Sequence, residues 1–399
     1  MKKSSVICGS LGMLLVFGAG CTAKSRQPSS DSAPASATHA LESPQPGEEQ
    51  LIHGLVAGIA ANITTTRDAH PKAHGCAADA RLTVNADLAP EYRKGVFAQP
   101  GQTFEAIVRF SSGSSNPKAD DRAPSTQGFA VKIKLPQALA SQIPDLPGQV
   151  MVLPEETYRT FDIITINALS EFMVNDLPSY PAFFKASGMV AKASAEAVAA
   201  GKSPAEIKQI VGQIFAQEYI SKVPAQLQPV VGALLAKAGS AQAQDLLDET
   251  YNSWVPYAFD AERAVKYSFQ PCSKLAKRSA AAPSANFLGE RLHEELSDSS
   301  NEGCFDLVAQ FHEQGMPSVE DAALPWGAPE SRKYVKLARL TLGSAFTPIE
   351  FCQALSYNPA HALPDQRGIG AIQRARRAIY AEISALRNKN VAAQQPKAE

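Results

Sequence analysis

The sequence is short of several features that would place a protein at once. It has no excess of charge of one sign: 38 Lys and Arg stand against 39 Asp and Glu, and no basic cluster breaks the balance, which argues against a nucleic-acid binder. No apolar run is long enough to span a bilayer. The run inside MKKSSVICGSLGMLLVFGAGC is about a dozen residues, against the roughly 20 that a spanning helix needs. There is no C-x-x-C pair, which argues against a redox dithiol or a zinc ribbon, and no C-x-x-C-H, which excludes covalent haem attachment of the c type. No internal repeat is present.

What is present is a chain of 399 residues, 45 % apolar and 19 % charged, enough to bury a substantial core. Two lysines, the short apolar run and small residues before Cys21 are built like a secretory signal. GAGC resembles a bacterial lipobox, although Gly18 stands where Leu is usual. The expectation is a signal peptide over residues 1–20, lipid on Cys21, and a periplasm-facing or extracellular domain touching the membrane only through that lipid. Residues 21–49 are rich in Ser, Pro and Ala and read as a tether. The folded part is expected over residues 50–387, with a polar tail at 388–399. Four cysteines remain, Cys76, Cys272, Cys304 and Cys352. An oxidising compartment permits disulfides, and the three possible pairings stay open.

In TFEAIVRFSS, Phe104, Ala106, Val108 and Phe110 share one face of a strand, with Ile107, Arg109 and Ser111 on the other. FAVKIKL alternates in the same way, and AVKYSF (264–269) and YVKLARLTL (334–342) are further strand candidates. Residues 185–250 instead read as a helical insertion. Ser203-Pro204-Ala205-Glu206 is a capping box with proline at the first helical position, and Thr347-Pro348-Ile349-Glu350 is a second helix start. The pattern is α+β, with a curved or closed sheet.

His70 and His74 are four residues apart, the spacing of zinc ligands on a helix. Pro71 between them and the lack of a fixed acidic partner speak against a metal site. Near the C-terminal end, Arg376, Tyr380 and Arg387 fall along one side of a helix. Arginines lying on a tyrosine ring at a solvated surface would explain that stripe. So would a phenol held for chemistry.

Taken in order, R-x-x-H at Arg67 to His70, VRFS, GFAVK, and R-x-x-x-Y-x-x-x-x-x-x-R resemble the haem core of the catalase superfamily, with a likeness to bacterial shortened catalase-like proteins. The resemblance runs from about residue 65 to residue 387 and implies a catalase-like antiparallel β-barrel with a helical insertion and a C-terminal proximal helix. It implies haem b, with Tyr380 as iron ligand and Arg67, Arg109, Tyr180, Arg376 and Arg387 as cofactor contacts. A free phenol is a poor anionic ligand at neutral pH; a neighbouring guanidinium favours the phenolate, and Arg376 stands one turn before Tyr380. His70 becomes the acid–base residue, with His74 in reserve, and Ser111 its hydrogen-bonding partner.

The implied activity is peroxide consumption with an unidentified electron donor. Other readings on the same scaffold are a haem enzyme that rearranges fatty-acid hydroperoxides, and a non-enzymatic haem or ligand carrier. The sequence departs from the family where an asparagine orients peroxide: that position is Ala168, with Asn167 beside it and Asn175 further on. The chain also ends soon after the proximal helix, which leaves no room for the helical domain of full-length catalases. Both departures point to oxidation of a donor rather than fast dioxygen release. One test concerns the anchor alone: metabolic fatty-acid labelling should mark the wild-type protein and not Cys21→Ala, and equal labelling of the two rules the anchor out.

Overall fold

The computed structural model describes residues 38–60, 70–114, 116–143, 163–167, 177–238, 240–253, 255–276, 283–322, 324–344, 348–355 and 357–394. The expected signal peptide and Cys21 lie outside them.

The elements in chain order begin with α1 (Glu48–Ala60), β1 (Ala73–Val84), β2 (Thr103–Ser112), β3 (Gln127–Ile133), the short α2 (Gln137–Ala140) and β4 (Ile163–Asn167). Three helices follow, α3 (Tyr180–Ala199), α4 (Pro204–Glu218) and α5 (Gln228–Ala238). After them come β5 (Tyr251–Ser253), β6 (Tyr257–Ala258), β7 (Ala264–Pro271), α6 (Phe287–Ser297), β8 (Gly303–Phe311), β9 (Val335–Leu342), α7 (Ile349–Ala354) and α8 (Ala371–Gln394). The strands form one antiparallel sheet in the order β5-β4-β3-β2-β1-β9-β8-β7-β6, and β5 also pairs with β7. That extra pairing bends the sheet into a barrel. The architecture is α+β, as the sequence pattern indicates.

The alternation read in β2 has a direct counterpart. Phe104, Ala106, Val108 and Phe110 join the main core, and Ile107 packs on the opposite face with Cys76, Ala130, Cys352, Leu355 and Tyr357. Phe129 sits at the centre of the barrel interior. Its ring centroid is 4.5 Å from Tyr251 and 5.1 Å from each of Phe110, Phe269 and Phe305, so aromatic groups from five strands meet there. Large rings fill such a space with apolar area and favourable edge contacts.

The capping box at α4 is complete: Ser203 accepts from the Glu206 backbone and Glu206 accepts from the Ser203 backbone. The second expected start opens α7 at Ile349, with Thr347 outside the described residues. The insertion between β4 and β5 is helical, beginning at Tyr180. Cys76 bonds Cys352 and Cys272 bonds Cys304, which resolves the open pairing. Between Ala73 and Gly75 the register of β1 slips against β2: two residues of β1 stand against one of β2. This bulge takes up the length around His74.

The fold is longer than residues 50–387 at both ends. Within the stretch read as a tether, His39 is buried and its Nε2 meets the Asp260 carbonyl at 2.8 Å, while Glu42 and Glu48 both reach Arg374 on α8. Arg374 also holds Glu320 at 2.8 Å, and the free amides of Gly370 and Ala371 at the start of α8 donate to Glu42 and Glu320. Local composition reads as disordered here because these partners lie far along the chain. At the other end α8 runs on to Gln394, through the start of the expected polar tail.

The Arg374 hydrogen bond, opposed by burial, holds the Glu48 carboxyl below its ordinary 4.5. For Glu42, burial raises the pKa, but hydrogen bonds from His39, Gly370 and Arg374 outweigh it and lower the result. Carboxyls lowered by folding add stability above pH 4.5 that is lost as pH falls through their folded values. Arg374→Ala should cost on the order of 3 kcal/mol, and hydrogen-exchange protection over residues 38–60, relative to the intrinsic rate, should fall in this variant and in the wild type as pH drops through the lowered values of Glu42 and Glu48. Unchanged protection there would show that the strap is held by something else.

Candidate functional site

Ser111 ends the outward-facing series of β2, and Gly128 of β3 lies opposite it in the ladder. The absent side chain at Gly128 leaves room for an imidazole. A Cβ there would stand 2.5 Å from His70 Nδ1 and 2.6 Å from Ser111 Oγ. His70 Nδ1 lies 3.4 Å from Ser111 Oγ. Among the described residues His70 alone of the non-glycines has positive φ, at 51°. It also precedes a proline, which narrows its conformations further. Backbone strain of this kind persists where surrounding contacts hold it. Here Arg109 Nη2 donates to the His70 carbonyl at 2.8 Å and to Gln353 Oε1 at 3.1 Å. Arg109 itself is only 3 % exposed.

His74 is elsewhere. Its Nε2 meets Gln127 Oε1 at 2.8 Å and its Nδ1 is 3.7 Å from Asp121. Asp121 in turn binds Lys72 at 2.6 Å and accepts from the Leu288 amide at the start of α6. Burial pushes the His74 pKa down to about 4, against the attraction of Asp121, so it is neutral at physiological pH. The two histidines therefore lie in different surroundings, and no group of three or more His, Cys, Asp or Glu among the described residues is placed to hold a metal ion.

The second group of residues lies on α8. Arg376 is 1 % exposed, donates to Gln373 Oε1 at 3.0 Å, and lies 5.5 Å from the Tyr380 ring centre. Burial opposes its charge, but Tyr380, Tyr257 and Tyr180 outweigh that, so its pKa is raised. Tyr180, at the start of α3, is fully buried. Burial pushes its phenol up despite the opposing pull of Arg376. Tyr380 is partly buried. Ile372, Ala375 and Ile379 seat the helix on the core.

The structure thus assembles His70, Ser111 and Arg109 in one cluster, and Arg376, Tyr380 and Tyr180 in another. Asn167 pairs through its backbone with Tyr251; its side chain, that of Arg387, and Arg67, Ala168 and Asn175 are outside the described residues. Sequence reasoning missed Gln353, Gln373 and Tyr257. Only Gln373 left a usable signal, one turn before Arg376 on the same face.

The donor sets suit a ferric haem. A phenol ring beside a buried guanidinium fits a tyrosine ligand to iron, and the buried cation Arg109 suits a carboxylate.

The fold is that of the catalases. Three solved structures align with it: a fungal catalase at 16 % identity and TM-score 0.52, catalase A from Saccharomyces cerevisiae at 14 % and 0.53, and a bacterial catalase at 16 % and 0.56. They cover 87, 87 and 92 % of this chain, which in turn spans 64, 66 and 67 % of theirs. A catalase-related peroxidase of Mycolicibacterium paratuberculosis (strain ATCC BAA-968 / K-10) is 40 % identical over 52 residues, 13 % of this chain and 17 % of that protein. No family model matches the chain.

Gly128→Ala tests the geometry without reference to activity. The added methyl should push the imidazole away from Ser111 while the fold survives, because a side-chain tip yields more easily than backbone. A crystal structure of the variant with the His70–Ser111 distance unchanged would contradict this account.

Proposed function

We propose that the protein is a haem b-dependent, peroxide-consuming oxidoreductase of the cell envelope, anchored through Cys21. The observation that carries the reading is the Tyr380 phenol paired with the buried Arg376 guanidinium on the catalase fold. The short match to a catalase-related peroxidase points the same way.

Tyr380 would ligate the iron, and Arg109, Arg67 and Arg387 would hold the propionates. When bound, the haem supplies the redox chemistry that divides the peroxide oxygen–oxygen bond. The protein's own part is acid–base chemistry. Ser111 engages His70 Nδ1, which leaves proton transfer to Nε2. Nε2 takes the proton from the peroxide oxygen and returns it to the departing oxygen, which leaves as water. Arg109 fixes the backbone carbonyl of the same histidine and so limits how far the ring can wander. An organic donor, rather than a second peroxide, is the favoured reductant. Ala168 offers no hydrogen bond to orient a second peroxide, and lost orientation forfeits rate.

Haem-loaded wild type should consume peroxide, with donor oxidation exceeding dioxygen release on the same sample. His70→Ala should keep haem and lose roughly a hundred- to ten-thousand-fold in rate. Tyr380→Phe should lose haem or change the ferric absorption spectrum. An unaltered spectrum in Tyr380→Phe removes the ligand assignment, full activity in His70→Ala removes the acid–base assignment, and dominant dioxygen release removes the donor preference.

A further inference from the structure

The backbone at residues 70–71 is held from the side of α7, by a residue with no part in the proposed proton transfer. Gln353 Nε2 donates to the Pro71 carbonyl at 2.7 Å, and its Oε1 accepts from Arg109 Nη2 at 3.1 Å. The same Arg109 nitrogen donates to the His70 carbonyl at 2.8 Å. Two successive carbonyls, one belonging to a residue with left-handed backbone, are thereby tied through one amide and one guanidinium.

Gln353 needs a fixed platform to do this. α7 has only six residues, too few to be stable without outside support. The neighbouring residue, Cys352, is fully buried and bonded to Cys76 of β1. Cys76 pairs in the ladder with Arg109. The disulfide therefore joins α7 to the strand that follows the histidine, at the level of the arginine that shares Gln353. Leu355 and Tyr357 pack around the two cysteines and close the outer face of β2.

We propose that Gln353, fixed by the Cys76–Cys352 disulfide, is a positioning residue for His70, holding the imidazole against Ser111. Its consequence for turnover rests on the proposed acid–base role of His70; its effect on the ring does not. The carboxamide is suited to the task because it donates to one carbonyl and accepts from the guanidinium at the same time. Leucine of similar size does neither, and glutamate retains only the acceptor.

Deuterium exchange at the imidazole C2 position, read by mass spectrometry for each histidine, separates placement from activity and needs no cofactor. Gln353→Leu should speed exchange at His70 by about threefold or more through local opening, with His74 as an unmoved internal reference. Gln353→Glu should fall between leucine and wild type. In haem-loaded protein, Gln353→Leu should lower peroxide turnover by about tenfold or more with haem affinity unchanged. The pair Cys76→Ala with Cys352→Ala should reproduce the His70 change; should that protein fail to fold, the Gln353 variants decide alone. Unchanged His70 exchange in Gln353→Leu overturns the proposal, and so does an equal rise at His74, which would mean general loosening. A selective rise at His70 upholds it even where wild-type protein proves inactive toward peroxide, a result that would overturn the proposed function instead.

Discussion

β2 and β3 are buried on both faces, and most of the site follows from that. Their inner faces carry the aromatic and aliphatic groups that fill the barrel. Their outer faces carry Arg109, Ser111 and Lys132, all buried. Charge and polarity in that position are costly without partners. These groups meet segments laid over the barrel: Arg109 the His70 loop and α7, Ser111 the His70 ring, and Lys132 the Tyr357 ring at 5.4 Å. The covering segments are held in place by the polar groups they cover.

The two buried cationic networks are solved differently. Lys72 has a full carboxylate partner in Asp121 together with the carbonyls of Ala119 and Ala285, a closed arrangement suited to fixing α6 against the barrel. Arg376 is surrounded by phenols and the Gln373 amide. Phenols are weak acids, so this environment tempers rather than neutralises the guanidinium.

The elements governed by short-range pattern were legible in the sequence. The period-two alternation of β2 and β3, the Ser203 cap and the helical insertion depend on neighbours within a few residues. The R-x-x-x-Y stripe on α8 was legible for the same reason. The bulge that absorbs His74, the choice of cysteine partners, and the strap from His39 to Glu48 were not. Each depends on a contact across the fold: Glu42 meets Arg374 across 332 positions and Gln353 meets Pro71 across 282. A stretch such as ESPQPGEE carries no local sign that Glu48 will be buried or that Glu42 will meet Arg374. The role of Gln353 was equally silent, since one glutamine beside a cysteine has no pattern to read.

The barrel seam adds a kinetic dimension. Its first strand pairs with its last, Arg81 with Thr341, so closure requires the search of a very long loop, and topologies dominated by such pairings fold slowly. The Cys76–Cys352 bond spans 276 positions and begins and ends beside that seam. Formed during folding, it turns the chain into a covalent ring containing every strand from β2 to β9, and the first and last strands of the chain can no longer diffuse far apart. Restricting the unfolded ensemble in this way favours the native state most where the closed loop is long. An oxidising compartment would then act as an assembly condition for this molecule.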